Sequence, residues 1–356
     1  MKIVQIMPTV SFGDAVSNDA VAIRRLIAEK GFETGIFAEN IDPRFHEAGA
    51  AYVRDMPSLD PDDILIYHGS TGTALNFMLP RMGGRPMMIY HNITPPEFFR
   101  GYSSVGVQLT ESGYRGIRYL ADAFSLCVAD SDYNRHELRS MGYECPIDVC
   151  PIMIPFGDYD REPDQQVLQK YQGDGWTNLL FVGRIAPNKR QQDVIRAFDA
   201  YRRSCNPKSR LFLVGSSSGM EKYEKELKEL VGELGLENLV IFPGHISFQA
   251  ILAYYRLADV FVCMSVHEGF CVPLAEAMHF EKPIVARAEA AVPETLGEAG
   301  ILVKSGDPME TAKAIDRALT DQSLREKMKK ARSERLEALR FERVSAQMWA
   351  SIVKMM

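Results

Sequence analysis

Residues 260–278 read VFVCMSVHEGFCVPLAEAM, and this run decides the fold. Val260 to Ser265 is apolar nearly throughout, as in a strand covered on both faces of a parallel sheet. His267-Glu268-Gly269 follows at once, and Pro273 suits the first turn of a helix. Gly269 allows a tight turn and close backbone approach. A strand that passes through such a turn into a helix is part of a βαβ unit. The free N–H groups and positive end of the helix make an anion site there. Glu268 lies in the turn and Glu276 about one helical turn past Pro273, so both carboxylates can face one ligand. Either glutamate alone is as readily a capping or solvated acid; the whole string carries the reading.

The same pattern stands upstream at residues 179–190, LLFVGRIAPNKR. Another apolar run ends in Gly183, and Arg184 and Lys189 lie on the loop at its carboxyl end. In parallel sheets that end is where ligands bind. A guanidinium fork and an ammonium point charge suit a diphosphate. Val214-Gly215-Ser216-Ser217-Ser218-Gly219 is Gly-rich but has no Gly-Lys-Ser/Thr, so it is no Walker A loop. Gly215 and Gly244 are further strand-end glycines at which a backbone can approach a ligand.

Outward from these runs, β-branched segments alternate with amphipathic ones along the chain. Strands are expected at 3–8, 34–38, 64–69, 86–92 and 126–131, then at 178–182, 210–214, 239–243, 260–265, 283–286 and 300–303. Helices are expected at 18–30, 73–81, 107–122, 132–141, 189–204, 220–234, 247–257, 272–279 and 308–320. Between the two series, residues 151–177 hold Pro151, Pro155, Gly157, Pro163, Gly173 and Gly175, as a linker does. The expected organisation is α/β: two Rossmann-like doubly wound parallel-sheet domains at 1–165 and 166–337. A last helix, about 338–356, carries the apolar residues Met348, Trp349, Ile352 and Val353, which need a surface to dock on; the first domain is the expected one.

In the first half, the loop SFGDAVSND (11–19) follows the first strand and contains Gly13. His91 ends an apolar strand and is a polar contact candidate, with His68 and Ser131 in similar strand-end positions. Two acidic strings resemble metal sites: Asp158-Tyr159-Asp160 in the linker, and Asp60, Asp62 and Asp63 just before a strand. Neither lies at a strand-end loop, and both read as solvated loop acids.

The chain has 356 residues, 46% apolar and 25% charged, with a net charge of −6. This excludes a disordered or disulfide-stapled protein, and a strongly basic nucleic-acid binder. Residues 1–150 hold 13 Lys+Arg and 19 Asp+Glu, 13 − 19 = −6, so residues 151–356 are neutral overall. That first-half balance leaves at most weak peripheral contact with an anionic membrane. The six cysteines form no C-x-x-C pair, and the first ten residues read as a strand rather than a secretory leader. Both point to a reducing cytoplasm, with the inner face of the cytoplasmic membrane as the place of any membrane contact.

Taken together, HEGFCVPLAEAM with its E-x7-E spacing, EKPIVA at 281–286 and GRIAPNKR at 183–190 resemble the retaining glycosyltransferases of the GT-B fold, family 4, over nearly the whole chain. The resemblance implies two Rossmann-like domains facing a cleft, with the nucleotide-sugar on the second and the acceptor on the first. By position it implies Arg184 and Lys189 on the donor diphosphate and Glu268 on the transferred sugar, with the backbone from Gly269 through Phe270 and Cys271 to Val272 nearby. It further implies Glu276 on the ribose, Leu274 near the nucleoside, His91 beside the donor sugar and Gly13 near the phosphates. Many members carry glycine where Cys271 stands, which implies a narrower sugar pocket. Many carry paired glycines where this chain has Gly13-Asp14. HNITPPEFF (91–99) and the 11–19 loop are similar to bacterial surface-polysaccharide enzymes, often mannosyltransferases.

The expected activity is transfer of a hexose from a GDP- or UDP-sugar to a glycan or lipid-linked hydroxyl, with no metal or other cofactor. The alternatives are a nucleotide-sugar 2-epimerase of the same fold and a non-catalytic nucleotide-sugar binder.

Overall fold

Two sets of apolar strands build two separate parallel sheets in the computed structural model, which describes residues 1–11, 13–45 and 49–356. Phe12, in the expected Gly13 loop, lies outside the described residues. The chain divides into unit 1, Met1–Glu97, Ser104–Pro155 and Leu339–Met356, and unit 2, Phe98–Ser103 and Phe156–Ala338. The break thus falls between Pro155 and Phe156, inside the Pro- and Gly-bearing stretch and earlier than residue 165.

Unit 1 runs β1 (Ile3–Val10), α1 (Ala15–Glu29), β2 (Ile36–Ile41), β3 (Ala50–Tyr52), β4 (Ile64–Gly69), α2 (Leu75–Met78), β5 (Arg85–Tyr90), α3 (Ser104–Tyr119), β6 (Leu126–Ala129), α4 (Asp132–Ser140) and β7 (Ile147–Val149). Its strand order is β3-β2-β1-β4-β5-β6-β7, parallel throughout. Central strands are apolar because helices cover both faces; Ile64, Leu65, Ile66 and Tyr67 are all fully buried. Full burial of each such aliphatic side chain contributes about 1.5–3 kcal/mol.

Unit 2 runs α5 (Gln165–Tyr171), β8 (Thr177–Val182), α6 (Gln191–Ser204), β9 (Ser209–Val214), α7 (Glu221–Glu233), β10 (Val240–Gly244), α8 (Phe248–Leu257), β11 (Val260–Cys263), α9 (Val272–His279), β12 (Ile284–Arg287), α10 (Val292–Leu296), β13 (Ile301–Val303), α11 (Pro308–Thr320) and α12 (Gln322–Ala338). The strand order is β10-β9-β8-β11-β12-β13. From β8 the chain winds outward through β9 and β10, then returns to β11 on the other side of β8. The boundary between β8 and β11 is therefore the topological switch point, where the loops diverge and leave a crevice. In unit 1 the equivalent boundary lies between β1 and β4.

The final helix, α13 (Phe341–Val353), belongs to unit 1. Val344, Met348 and Ile352, with Met355 beyond the helix, join Ile3, Ile23, Ile66 and Ile89 in one core cluster. Trp349 packs on Phe32 with ring centroids 5.8 Å apart. Val353 departs from the expected apolar stripe: it is 46% exposed, and Met355 is buried beside Ile352 instead.

One acid of the 60–63 string also departs from expectation. Asp63 is buried, not solvated: its carboxylate accepts from the backbone N–H of Lys2 at 2.5 Å and of Asp60 at 2.9 Å. Those bonds hold its carboxyl below the usual range. It fastens the start of β1 beside β4.

Candidate functional site

The two loops singled out by sequence flank the β8/β11 switch point. After β8, Gly183 and Arg184 lead into a short 3-10 turn, Pro187–Lys189, and Arg190 caps α6. After β11, residues 264–271 lead into α9. The loops are tied by backbone and side chain: Val266 N–H donates to Asn188 O at 2.9 Å, and Asn188 Nδ2 donates to His267 O at 3.2 Å.

Between them Lys189 Nζ donates to both oxygens of Glu268, each at 2.6 Å. Their side chains are 20% and 9% exposed, so the pair is largely withdrawn from water yet still reachable. Burial pulls the ammonium down, but Glu268 outweighs it and leaves Lys189 above its ordinary value. His267, next to Glu268, is pushed down to about 4 by burial and is therefore neutral at pH 7.

Gly215, at the end of β9, passes so close to the β8 loop that a Cβ there would lie 1.9 Å from Gly183 O. Only glycine fits. Gly244 ends β10, two strands from the switch point, about 10 Å by strand spacing. Arg184 is exposed, and its guanidinium reaches Ser218 O at 3.4 Å.

Glu276 projects from α9 and is held by two phenols. Tyr159 donates to Oε1 at 2.7 Å and Tyr255 to Oε2 at 2.6 Å. Burial nonetheless raises its carboxyl above the ordinary value. Tyr159 is the middle of Asp158-Tyr159-Asp160, which lies in a 3-10 turn at Phe156–Asp160. The flanking acids pair with surface groups: Asp158 with Arg161 at 2.5 Å, Asp160 with His279 at 3.9 Å. The string is thus more than a solvated loop, because its tyrosine reaches the site.

Two residues at the start of α9 are turned to the interior. Cys271 has φ 74°, a left-handed conformation that glycine adopts freely and a Cβ resists. Its sulfur lies within 3.9 Å of Cys263 Sγ and the residue is 6% exposed, so the side chain packs beneath the loop. Leu274, in the first turn of α9, is fully buried.

Unit 1 holds a second constellation around its own switch point. Asp14 caps α1, accepting from Ser17 N–H and Ser17 Oγ, both at 2.9 Å. Gly13 before it takes φ 73° with open space about its Cα. The cap explains why aspartate stands where a second glycine is common.

His91 is the surprise. Its Nδ1 lies 2.9 Å from Asp130 Oδ2, and its Nε2 lies 2.8 Å from His68 Nδ1. His68 Nε2 lies 2.9 Å from Gln5 Oε1, and Gln5 Nε2 donates to Ala20 O at 3.0 Å. The Gln5 amide is thereby oriented, so His68 donates from Nε2 and accepts at Nδ1. His91 then donates from Nε2, and its Nδ1 shares a proton with the Asp130 carboxyl, whose own proton affinity burial raises. Burial lowers its proton affinity, but the charge and hydrogen bond of Asp130 outweigh this and raise it. Burial pushes His68 well below the ordinary value. Asp19, also buried, accepts from Met153 N–H at 2.9 Å and is pushed up to about 7 by burial. With both ring nitrogens taken inside unit 1, His91 presents none to a sugar.

Asn92, the next residue, is left-handed at φ 79°. Its amide donates to Asn134 and Glu137 at 2.8 and 2.9 Å. Among the described residues five non-glycines have positive φ, and three of them, Asn92, Arg190 and Cys271, stand on these strand-end loops. Strain of this kind gathers where geometry serves binding.

Two trios among the described residues bring ligand-type atoms within 4.8 Å of one another: Asp19, His68 and His91, and Cys263, Glu268 and Cys271. In the first, His68 and His91 spend their nitrogens on each other and on Gln5 and Asp130. In the second, Glu268 is taken by Lys189.

Residues 161–335 match the family model described as glycosyl transferases group 1. The match spans nearly all of the second unit and just under half of the chain. O-antigen chain mannosyltransferase B of Escherichia coli is 28% identical over 269 residues, covering 73% of this chain and 67% of the relative. D-inositol 3-phosphate glycosyltransferase of Thermomonospora curvata is 34% identical over 157 residues, 42% of this chain and 36% of the relative. The chain thus spans two thirds of the first relative's length and about a third of the second's. Among solved structures, a sucrose-phosphate synthase from Thermosynechococcus elongatus superposes with a TM-score of 0.79 at 19% identity, covering 99% of each chain. HepE of Anabaena, solved with UDP-glucose, gives 0.78 at 17% identity, covering 99% of this chain and 100% of its own. These likenesses establish the GT-B fold of the chain. Among its described residues no helix is long and apolar enough to cross a membrane.

Proposed function

We propose that this chain is a retaining hexosyltransferase that moves a hexose, with mannose favoured, from a nucleotide-diphospho-sugar to a hydroxyl acceptor. The observation that carries this reading is the Lys189–Glu268 pair, which ties the two strand-end loops of the switch point inside the family-matched segment. The name of the E. coli relative supports mannose and a role in surface-polysaccharide or glycolipid assembly. The UDP-glucose of the HepE structure supports a nucleotide-sugar donor, UDP- or GDP-linked. The cytoplasm, or the inner face of its membrane, is where such donors are consumed.

In this reading Arg184 and Lys189 meet the charge that develops on the leaving diphosphate, with backbone N–H groups of the α9 start. Two of the three ammonium protons of Lys189 go to Glu268, leaving one for a phosphate oxygen. Such fixed donors at a developing charge are the largest contributors to this kind of step. The bond from the anomeric carbon to phosphate breaks, the acceptor oxygen bonds the same face, and its proton passes to the departing phosphate. Glu268 stabilises the cationic sugar as it forms. Glu276 accepts one bond at each oxygen from the tyrosines and keeps two acceptor sites for ribose hydroxyls. The clamp is cationic, and the reading needs no metal ion.

The test is thermal shift against UDP, GDP, ADP and their sugars, since a bound ligand stabilises by RT ln(1 + [L]/Kd). The donor identified is then incubated with sugar and lipid-phosphate acceptors, and the product's anomeric configuration is read by NMR. Inverted product would reject retention. Epimer formed with no acceptor would make the chain an epimerase. No shift with any nucleotide would reject the donor site.

A further inference from the structure

Cys127 and Cys145 lie away from both constellations. Cys127 is on β6 and fully buried, and Cys145 is half-buried just before β7. The strands pair in parallel with Cys127 opposite Ile147, and Cys127 N–H donates to Pro146 O at 3.0 Å. That backbone bond fixes the two cysteines as neighbours, and their sulfurs lie 3.6 Å apart as free thiols. A disulfide needs about 2.0 Å between sulfurs. The separation is thus small and the approach is templated by the sheet.

The two sulfurs are unequal. Cys145 is pulled down to about 7, first by the hydrogen bond with Cys127 and then by Arg139. The Arg139 guanidinium is held nearby by Tyr143 O. Burial pushes Cys127 far up. One sulfur is therefore exposed enough and anionic enough to attack, and the other waits behind it.

We propose that Cys145 and Cys127 form a peroxide-oxidised thiol pair, with Cys145 attacked first and Cys127 resolving it. The Cys145 thiolate attacks one oxygen of hydrogen peroxide, the O–O bond breaks, and the departing hydroxide takes a proton to become water. Cys145 is then a sulfenic acid. The Cys127 sulfur displaces that hydroxyl, the S–S bond forms and a second water leaves with the Cys127 proton. In sum two thiols give up two electrons and two protons, and peroxide is reduced to two waters.

The chain supplies its own controls. Cys263 and Cys271 are nearly as close, at 3.9 Å, but they are 2% and 6% exposed and neither can meet peroxide first. Cys205 is exposed, and its sulfur lies 3.4 Å from Ser204 Oγ.

The experiment treats the folded full chain with a few equivalents of hydrogen peroxide, blocks remaining thiols, and maps the peptides by mass spectrometry. The expected result is a Cys127–Cys145 cross-link reversed by dithiothreitol. Cys145 should be consumed at least tenfold faster than Cys205, while Cys263 and Cys271 are blocked only after denaturation. In Cys127→Ser the cross-link vanishes and Cys145 is trapped by dimedone as sulfenic acid. Should that buried variant fail to fold, Cys145→Ser gives the same decision: Cys127 must then survive peroxide as a thiol. Cys145 oxidised no faster than Cys205, or Cys127 oxidised in Cys145→Ser, overturns the proposal.

Discussion

Tyr159 donates its hydroxyl to Glu276 Oε1 at 2.7 Å, so the middle residue of an Asp-x-Asp string positions the second glutamate of the E-x7-E spacing. Removing one such bond to a charged group costs about 1.5–3 kcal/mol. Tyr159→Phe should therefore raise the donor KM by roughly tenfold and leave kcat within about twofold, because a ribose contact is present in ground and transition states alike. Glu276→Gln should show the same split. Steady-state kinetics with varied donor decides it; a fall in kcat alone would place Glu276 at the reacting centre instead.

The Lys189–Glu268 pair yields a two-part expectation. Lys189→Ala strips a partly buried carboxylate of its partner and should cost about 1–3 kcal/mol of stability, and about 2–4 kcal/mol of transition-state stabilisation. Adding Glu268→Gln to it should restore much of the stability but none of the turnover. Melting curves and kcat of the two variants check this. Turnover recovering together with stability would reduce the pair to a structural tie.

Cys271 strains its own backbone at φ 74°. Cys271→Gly removes a left-handed penalty of about 1–2 kcal/mol, offset in part by the lost contact with Cys263. Stability should stay level or rise, and turnover should stay within about threefold. Cys271→Val places a β-branched side chain at the same φ and should lower the melting temperature clearly. Equal melting temperatures for the two variants would argue against the strain.

Unit 1 should lose stability as pH rises. Asp19 moves from 3.8 to about 7 on folding, so the folded chain holds an extra proton between those values and stability falls as pH climbs through that window. His91 acts in the same sense: its contribution is full below 6.5 and is lost as pH passes its raised folded value. His68 acts oppositely, costing stability only as pH drops below 6.5. Asp19→Asn keeps an acceptor for Met153 N–H and cannot ionise. It should gain roughly 1–3 kcal/mol over the parent at pH 8 and little at pH 4. Calorimetric scans from pH 4 to 9 test it; parallel curves for both proteins would reject the assignment.

Metal removal is the fifth test. Turnover should persist in excess EDTA, and Asp158→Ala with Asp160→Ala should change it by less than about twofold, since exposed pairs contribute ~0–1 kcal/mol. Activity abolished by EDTA and restored by a divalent ion would reject a purely cationic clamp.

How much of this was legible in the sequence depends on length scale. The switch-point loops after β8 and β11 were readable because strand, glycine turn and helix start are contiguous. β3 and β7 escaped because three residues give too short a period to register. The His68–His91 contact was invisible for a different reason. Parallel register sets His68 beside Ile89, and the next same-face position along is His91; only pairing reveals it. Tyr159 escaped because its partner lies 117 residues away. Cys271 could be flagged as unusual, but the inward turn of its sulfur follows from a φ that sequence does not display.

The return of α13 to unit 1 has a consequence for synthesis. A ribosome delivers residues in order, and unit 2 is complete in sequence at Ala338. Unit 1 still lacks Val344, Met348, Ile352 and Met355, which close its core beside Ile3 and Ile23. Unit 1 therefore closes its core only after unit 2 has been delivered. Until residues 344–355 are read, an apolar groove along α1 stays open on the nascent chain, a natural place for a chaperone to hold.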